Sequence, residues 1–162
     1  MNIIVSGANG QLGSSFLNYI NSYNNIKMYF FDSKELNITK KNTLEKLINK
    51  IKPKYFINCA AYTDVNKSET NLKQCFNINC LSLKLISNVC KSYNCTLIHF
   101  STDYVFDGKK KFPYTEYDIP NPLSIYAKSK LCGEREIFNS GVNFLILRIS
   151  WLYNPSFNNN LI

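Results

Sequence analysis

The 162-residue sequence predicts an α/β fold, a parallel sheet doubly wound with helices on both faces. Three observations carry that expectation. Short apolar runs alternate along the chain with longer stretches of helical apolar spacing. Glycines recur at positions 7, 10 and 13, between the first apolar run and the first helical stretch. The length suits one ordinary domain, which buries about two-thirds of its unfolded surface.

In chain order, Asn2–Ser6 reads as the first strand, and Val5-Ser-Gly-Ala-Asn-Gly-Gln-Leu-Gly13 follows it into a helical segment over 11–23. Gly7 lets the chain turn off the strand, Gly10 lets backbone approach a pyrophosphate, and Gly13 lets the helix pack closely. The helix N-terminus then faces phosphate. Lys27–Phe31 is the second strand, ending at Asp32. Residues 39–51 carry Leu44, Leu47, Ile48 and Ile51 at helical spacing, and Pro53 ends them. Tyr55–Asn58 is the third strand. A long helix over 71–93 presents Leu81, Leu85, Ile86 and Val89, and a fourth strand spans 96–101. After a loop with Gly108, Pro113, Pro120 and Pro122 come a helix over 126–139, a fifth strand over 143–149 and a polar tail at Asn158-Asn159-Asn160. Right-handed crossovers between parallel strands make this a Rossmann-like sheet.

Composition narrows the function classes. At 45% hydrophobic residues the chain is not disordered. No run nears ~20 apolar residues, so no membrane span is expected. The first strand starts at Asn2, which leaves no room for a signal peptide, and a cytoplasmic location is expected. The net charge of +8 comes from dispersed lysines, the longest run being Lys109-Lys110-Lys111. Nucleic-acid binding is not expected from so dispersed a pattern. The six cysteines (Cys59, Cys75, Cys80, Cys90, Cys95, Cys132) form no Cys-x-x-Cys pair, and His99 is the sole histidine, inside a strand pattern. Reduced structural thiols are therefore expected, with no metal site.

Ligands of such a sheet bind beyond the C-terminal strand ends. After strand two stands Asp32, nineteen residues past Gly13, where a carboxylate can accept from an adenosine ribose; Lys34 beside it can instead receive a 2′-phosphate. The alternative for Asp32 is a turn residue. After strand three, Asn58-Cys-Ala-Ala-Tyr62 offers small side chains that let a cofactor pass, or that fill core. After strand four, Thr102 places a hydroxyl at the crevice mouth, or caps a turn. Tyr126 and Lys130 are four residues apart, on one helix face. A tyrosine ordinarily holds its proton to about pH 10; a neighbouring ammonium and an oxidised nicotinamide ring both favour phenolate and lower that value. Tyr126 can then give a proton to a carbonyl oxygen while a nicotinamide delivers hydride to the carbon.

Gly7 to Gly13, Thr102 and the Tyr126/Lys130 pair together resemble the extended short-chain dehydrogenase/reductase superfamily. Gly-Ala-Asn-Gly-Gln-Leu-Gly, Asn-Cys-Ala-Ala-Tyr-Thr-Asp-Val, Ser-Thr-Asp-Tyr-Val-Phe-Asp-Gly, Pro-Leu-Ser-Ile-Tyr-Ala-Lys-Ser-Lys-Leu-Cys-Gly-Glu and Arg-Ile-Ser-Trp-Leu-Tyr resemble the dTDP-4-dehydrorhamnose reductase family more narrowly. The resemblance implies reduction of the 4-keto group of dTDP-4-dehydro-6-deoxy-L-mannose to dTDP-L-rhamnose with NADPH or NADH. It places Gly10, Gln11 and Leu12 on the pyrophosphate and Asp32 on the ribose. Ala60, Ala61 and Tyr62 would line the cofactor. Tyr126 becomes the proton donor, Lys130 holds the nicotinamide ribose, and Thr102, Asp103 and Trp151 touch the sugar. Asn37-Ile38 stands where the family commonly has Asp-Ile beside adenine.

Members of this family continue through a C-terminal substrate lobe. Residues 1–162 are thus expected to be a dinucleotide-binding domain lacking most of that lobe. In full-length relatives the resemblance leaves room for Mg2+ and for a homodimer. Two alternatives remain at this stage. One is another nucleotide-sugar epimerase or dehydratase, with Asp103 and Tyr104 as neighbours of Thr102. The other is a non-catalytic regulatory subunit resembling the methionine adenosyltransferase beta subunit.

Overall fold

A computed structural model describes residues 1–17 and 25–153. Five parallel strands, β1 (Asn2–Ser6), β2 (Lys27–Phe31), β3 (Tyr55–Asn58), β4 (Thr96–Thr102) and β5 (Phe144–Ile149), form one sheet in the order β2-β1-β3-β4-β5. The chain lays β2 on one side of β1 and then builds β3 to β5 on the other. The winding therefore reverses at β1, and a crevice opens where the two directions part.

The helices are α1 (Gln11–Leu17), α2 (Lys41–Ile51), α3 (Val65–Ser68), α4 (Leu72–Phe76), α5 (Ser82–Ser92) and α6 (Ile125–Ser140). The helical segment expected over 11–23 is described only as far as Leu17. The single helix expected over 71–93 is instead α4 and α5 joined by a π-helical turn, Asn77–Leu81. Loosening the ladder at one turn lets polar Asn79 point inward, where it is 2% exposed, without ending the helical run. A 3-10 turn, Asp103–Val105, follows β4.

Strand alternation divides the core between the two faces. Ile4, Phe56 and Leu97 lie side by side in register. They head a cluster with Leu44 and Ile48 of α2, Leu83 and Ile86 of α5 and Ile137 of α6. The opposite face carries Ile3, Val5 and Ile57, with Phe16 of α1, Ile98 and Phe100 packed against them. Ser124 caps α6 by accepting from the Ala127 N–H, and Gly141 ends it in the left-handed region. α6 thus enters over the C-terminal end of β4.

One sequence expectation is overturned. Cys80 and Cys132 are joined as a disulfide, while Cys59, Cys75, Cys90 and Cys95 are free. The pair lies 52 residues apart in sequence. Spacing showed no cysteine motif, but the π turn and α6 approach closely enough to bring the two sulfurs together. Among the described residues no helix is long and apolar enough to cross a membrane.

Candidate functional site

The expected site residues come from five separate strand ends and meet in one cleft of about 960 Å³. Gly7, Gly10, Gln11 and Leu12 bring the loop after β1; Asp32, Asn37 and Ile38 bring the one after β2. Ala60 and Ala61 follow β3, Thr102 and Asp103 close β4, and Trp151 follows β5. Tyr126 and Lys130 reach the same cleft from α6.

Two of the expected residues stand outside the lining. Gly13 lies behind the loop: a Cβ there would fall 2.2 Å from the Gly7 carbonyl oxygen, so it holds the loop's shape from beneath. The Tyr62 backbone is bound to Asn79. Its N–H donates to Asn79 Oδ1 at 2.8 Å, and its carbonyl accepts from Asn79 Nδ2 at 2.9 Å.

Gly7 has φ +74°, and a Cβ there would sit 2.6 Å from the Ala60 nitrogen. The loops after β1 and β3 therefore touch at a point only glycine can occupy. Gln11 Nε2 donates to the Leu152 carbonyl at 2.7 Å, tying the glycine loop to the segment after β5.

Asp32 takes the turn role and also lines the cleft. As a turn residue its Oδ1 accepts from the N–H groups of Lys34 and Glu35 at 2.8 and 3.0 Å. Its Oδ2 accepts from Asn9 Nδ2 at 2.9 Å, which fixes the carboxylate at the cleft edge. The backbone bonds from Glu35 and Lys34, then Asn9 and the Lys34 charge, hold its carboxyl below the ordinary value. The Asn37 side-chain oxygen accepts from Thr39 N–H and Oγ1 at 3.0 and 2.7 Å, so it is engaged in its own turn.

Thr102 Oγ1 accepts from the Tyr104 N–H and donates toward Asp103 Oδ1, both at 3.2 Å. It caps the 3-10 turn and also acts on the neighbouring Tyr126 phenol. The direction at Tyr126 differs from the sequence expectation. Burial, the largest influence, raises its phenol above the ordinary value. The Thr102 hydroxyl works the other way, and Asp103, Cys75 and Tyr104 add to the rise. Desolvation of phenolate outweighs any neighbouring positive charge. Tyr126 therefore keeps its proton at neutral pH, as a donor must.

Lys130 is 2% exposed. Its Nζ donates to the Phe100 carbonyl at 2.6 Å and lies 3.3 Å from His99 Nε2. Burial pushes its pKa down to about 8, with Glu134 and Cys75 acting in the opposite direction. One turn on, buried Glu134 pairs with Arg148 of β5 through two bonds, at 3.0 and 2.7 Å.

Several members of this arrangement escaped the sequence. Asn79 also donates to Ser129 Oγ at 2.9 Å, and Ser129 Oγ donates to the Tyr126 carbonyl at 2.6 Å. The π turn thereby braces the turn of α6 that carries Tyr126. Its sequence looks like ordinary helix, so nothing flagged Asn79. His99 carried a signal, as a lone histidine on an inward strand position, but no partner was visible. Ser101 Oγ is buried with no hydrogen-bond partner among the described residues, and Ser101 lines the cleft. Such an orphan beside a glycine loop that excludes any Cβ fits a polar ligand passing close to backbone. Among the described residues no group of three or more His, Cys, Asp or Glu could hold a metal ion.

The model of the RmlD substrate binding domain family matches residues 1–162. A dTDP-4-dehydrorhamnose reductase of Aggregatibacter actinomycetemcomitans is 36% identical over 157 residues, covering 97% of this chain and 53% of that protein. A crystal structure of a dTDP-4-dehydrorhamnose reductase from Clostridium acetobutylicum superposes with TM-score 0.92 at 37% identity, over 98% of this chain and 56% of the other. One from Bacillus anthracis, in complex with NADP, superposes with TM-score 0.94 at 34% identity, over 99% and 56%. The chain thus spans about half the length of the curated relatives it matches.

Proposed function

This chain belongs to the RmlD substrate binding domain family, and on that premise we propose that it is the dinucleotide-binding part of an NAD(P)H-dependent reductase of a dTDP-4-keto sugar. The observation that carries the reading is the convergence of Thr102, Tyr126 and Lys130 with the glycine loop and Asp32 in one cleft. Nothing local in sequence forces that meeting, since the residues come from loops after β1, β2 and β4 and from α6.

Gly7, Gly10, Gln11 and Leu12 form the cradle for a pyrophosphate, and the fixed Asp32 carboxylate is the acceptor for an adenosine ribose. Ala60 and Ala61 leave room along the cleft floor. When bound, the reduced nicotinamide supplies the hydride. Tyr126 gives its phenolic proton to the developing alkoxide, and the Thr102 hydroxyl beside it can hydrogen-bond the same oxygen. Lys130 is anchored by the Phe100 carbonyl and His99 at the buried end of the same helix face, which leaves one N–H to reach a ribose hydroxyl. Asp103 and Trp151 sit where a sugar would enter. Reductases in several bacteria at 30% identity or more, matched along nearly the whole chain, support a reductase over an epimerase or a regulatory subunit.

The reading is tested by titrating the chain with NADH and NADPH and following nicotinamide fluorescence. Binding of at least one is expected. Tyr126→Phe should leave that affinity within a few-fold while lowering keto-sugar turnover by roughly 10²–10⁴ in protein that has it. Turnover unchanged by the loss of the hydroxyl removes Tyr126 from the role of acid.

A further inference from the structure

Ser6, Asn58 and His99 lie next to one another in register across β1, β3 and β4. Lys130 descends onto the end of that row from α6. The four are 1%, 1%, 1% and 2% exposed, so each polar atom needs a partner inside the protein, in the row or on the Phe100 and Ala60 carbonyls beside it.

Donor and acceptor counting leaves two consistent patterns. As the amide lies, Ser6 Oγ donates to Asn58 Oδ1 at 2.7 Å, and Asn58 Nδ2 points at His99 Nδ1 at 3.2 Å. Nδ1 is then an acceptor, and the imidazole proton is on Nε2, 3.3 Å from Lys130 Nζ. A neutral amine can accept that proton through its lone pair while donating to Phe100. An ammonium has three donors and no lone pair, so it cannot. Opposite an ammonium, Nε2 must be bare and Nδ1 must carry the proton. Asn58 must then turn its amide end for end, presenting oxygen to Nδ1 and nitrogen to Ser6 Oγ, and it gives up the long 3.4 Å bond from Nδ2 to the Ala60 carbonyl. Amide orientation and ring tautomer are set by this bookkeeping rather than seen directly.

We propose that His99 is a positioning residue for Lys130, and that its tautomer follows the lysine's charge: Nε2–H opposite the amine, Nδ1–H opposite the ammonium. One proton is taken up from water per switch, and the imidazole begins and ends neutral. An imidazolium is disfavoured because burial and Lys130 both hold His99 well below its ordinary value. The groups facing the pair are Asn58 from β3, the Phe100 carbonyl from β4, Cys75 from α4 and Glu134 from α6, the last neutralised by Arg148 of β5. Since burial brings Lys130 to about 8, both patterns fall within easy reach of experiment. The importance of the switch for hydride transfer rests on the role proposed for Lys130; the coupling itself does not.

His99 is the sole histidine, so ¹⁵N-histidine labelling gives a single pair of ring-nitrogen resonances. Across a series from about pH 6.5 to about pH 9.5, spanning the ordinary histidine value and the depressed lysine one, Nδ1 should be the protonated nitrogen at the low end and Nε2 at the high end. The midpoint should lie at about 8. Lys130→Met should hold one tautomer throughout; should that variant not fold, the unaltered chain still decides. A tautomer that never changes, or an imidazolium appearing with an ordinary midpoint, overturns the proposal. Failure of NADH and NADPH to bind would instead sink the dinucleotide reading and leave the ring resonances untouched.

Discussion

Lys130 is the residue where burial and chemistry pull hardest against each other. Its pKa falls from an ordinary 10.5 to about 8 on folding. Between those two values the unfolded chain binds the extra proton, so stability rises with pH across that window and is flat below it. The full difference is about 3 kcal/mol at 1.36 kcal/mol per pH unit. Subtracting Lys130→Met from the parent isolates this contribution. In urea titrations the parent should gain on the variant between about pH 8 and pH 10.5. A difference that stays constant over that range would mean the ammonium is solvated after all. Tyr126 shows the same force acting on an acid: burial raises its phenol and keeps its proton in place.

At the scale of elements, α6 is held by three ties on two sides. The Cys80–Cys132 disulfide fastens it to the π turn, Asn79 and Ser129 bond across the same contact, and Glu134 with Arg148 secures it to β5. Closing a loop of 52 residues removes chain entropy from the unfolded state, about 4 kcal/mol in the loop-closure account. Adding a thiol reductant should lower unfolding stability by up to that amount. Cys80→Ser with Cys132→Ser should match the reduced parent and no longer respond to reductant. A parent indifferent to reductant would show that the bond contributes nothing.

These elements also show what was legible in sequence. Strands announced themselves because apolar and β-branched residues cluster between turn residues, and all five lie where that pattern put them. The Tyr126 and Lys130 pair was legible because four-residue spacing places two side chains on one helix face. The π turn was not, since one additional residue in a turn leaves helical composition unchanged. Nor was the disulfide, or the row beneath Lys130. Each depends on which elements become neighbours in space, and spacing along the chain carries no record of that.

For the whole molecule, the decisive contact is between two loops on either side of the point where the winding reverses. Gly7 and Ala60 meet there, and the crevice takes its shape from their closeness. Gly7→Ala places a methyl 2.6 Å from the Ala60 nitrogen at φ +74°. It should cost roughly 1–3 kcal/mol of stability, the usual range for such backbone strain. It should also weaken NADH or NADPH binding more than it weakens the fold, since the loops must part to admit it. Chemical denaturation and nicotinamide fluorescence measured on the same variant separate the two effects. Equal binding by a variant that is merely less stable would show that the loop contact shapes the fold alone.

The buried row from Ser6 to Lys130 carries a consequence for how such a protein can change over time. Its members are scattered between positions 6 and 130 on three strands and a helix, yet each supplies what its neighbour lacks. Replacing one strands a donor or acceptor in the next, so viable substitutions at these positions must arrive together. Across related sequences the four should drift as a single linked trait, with a change at Asn58 accompanied by one at Ser6 or His99.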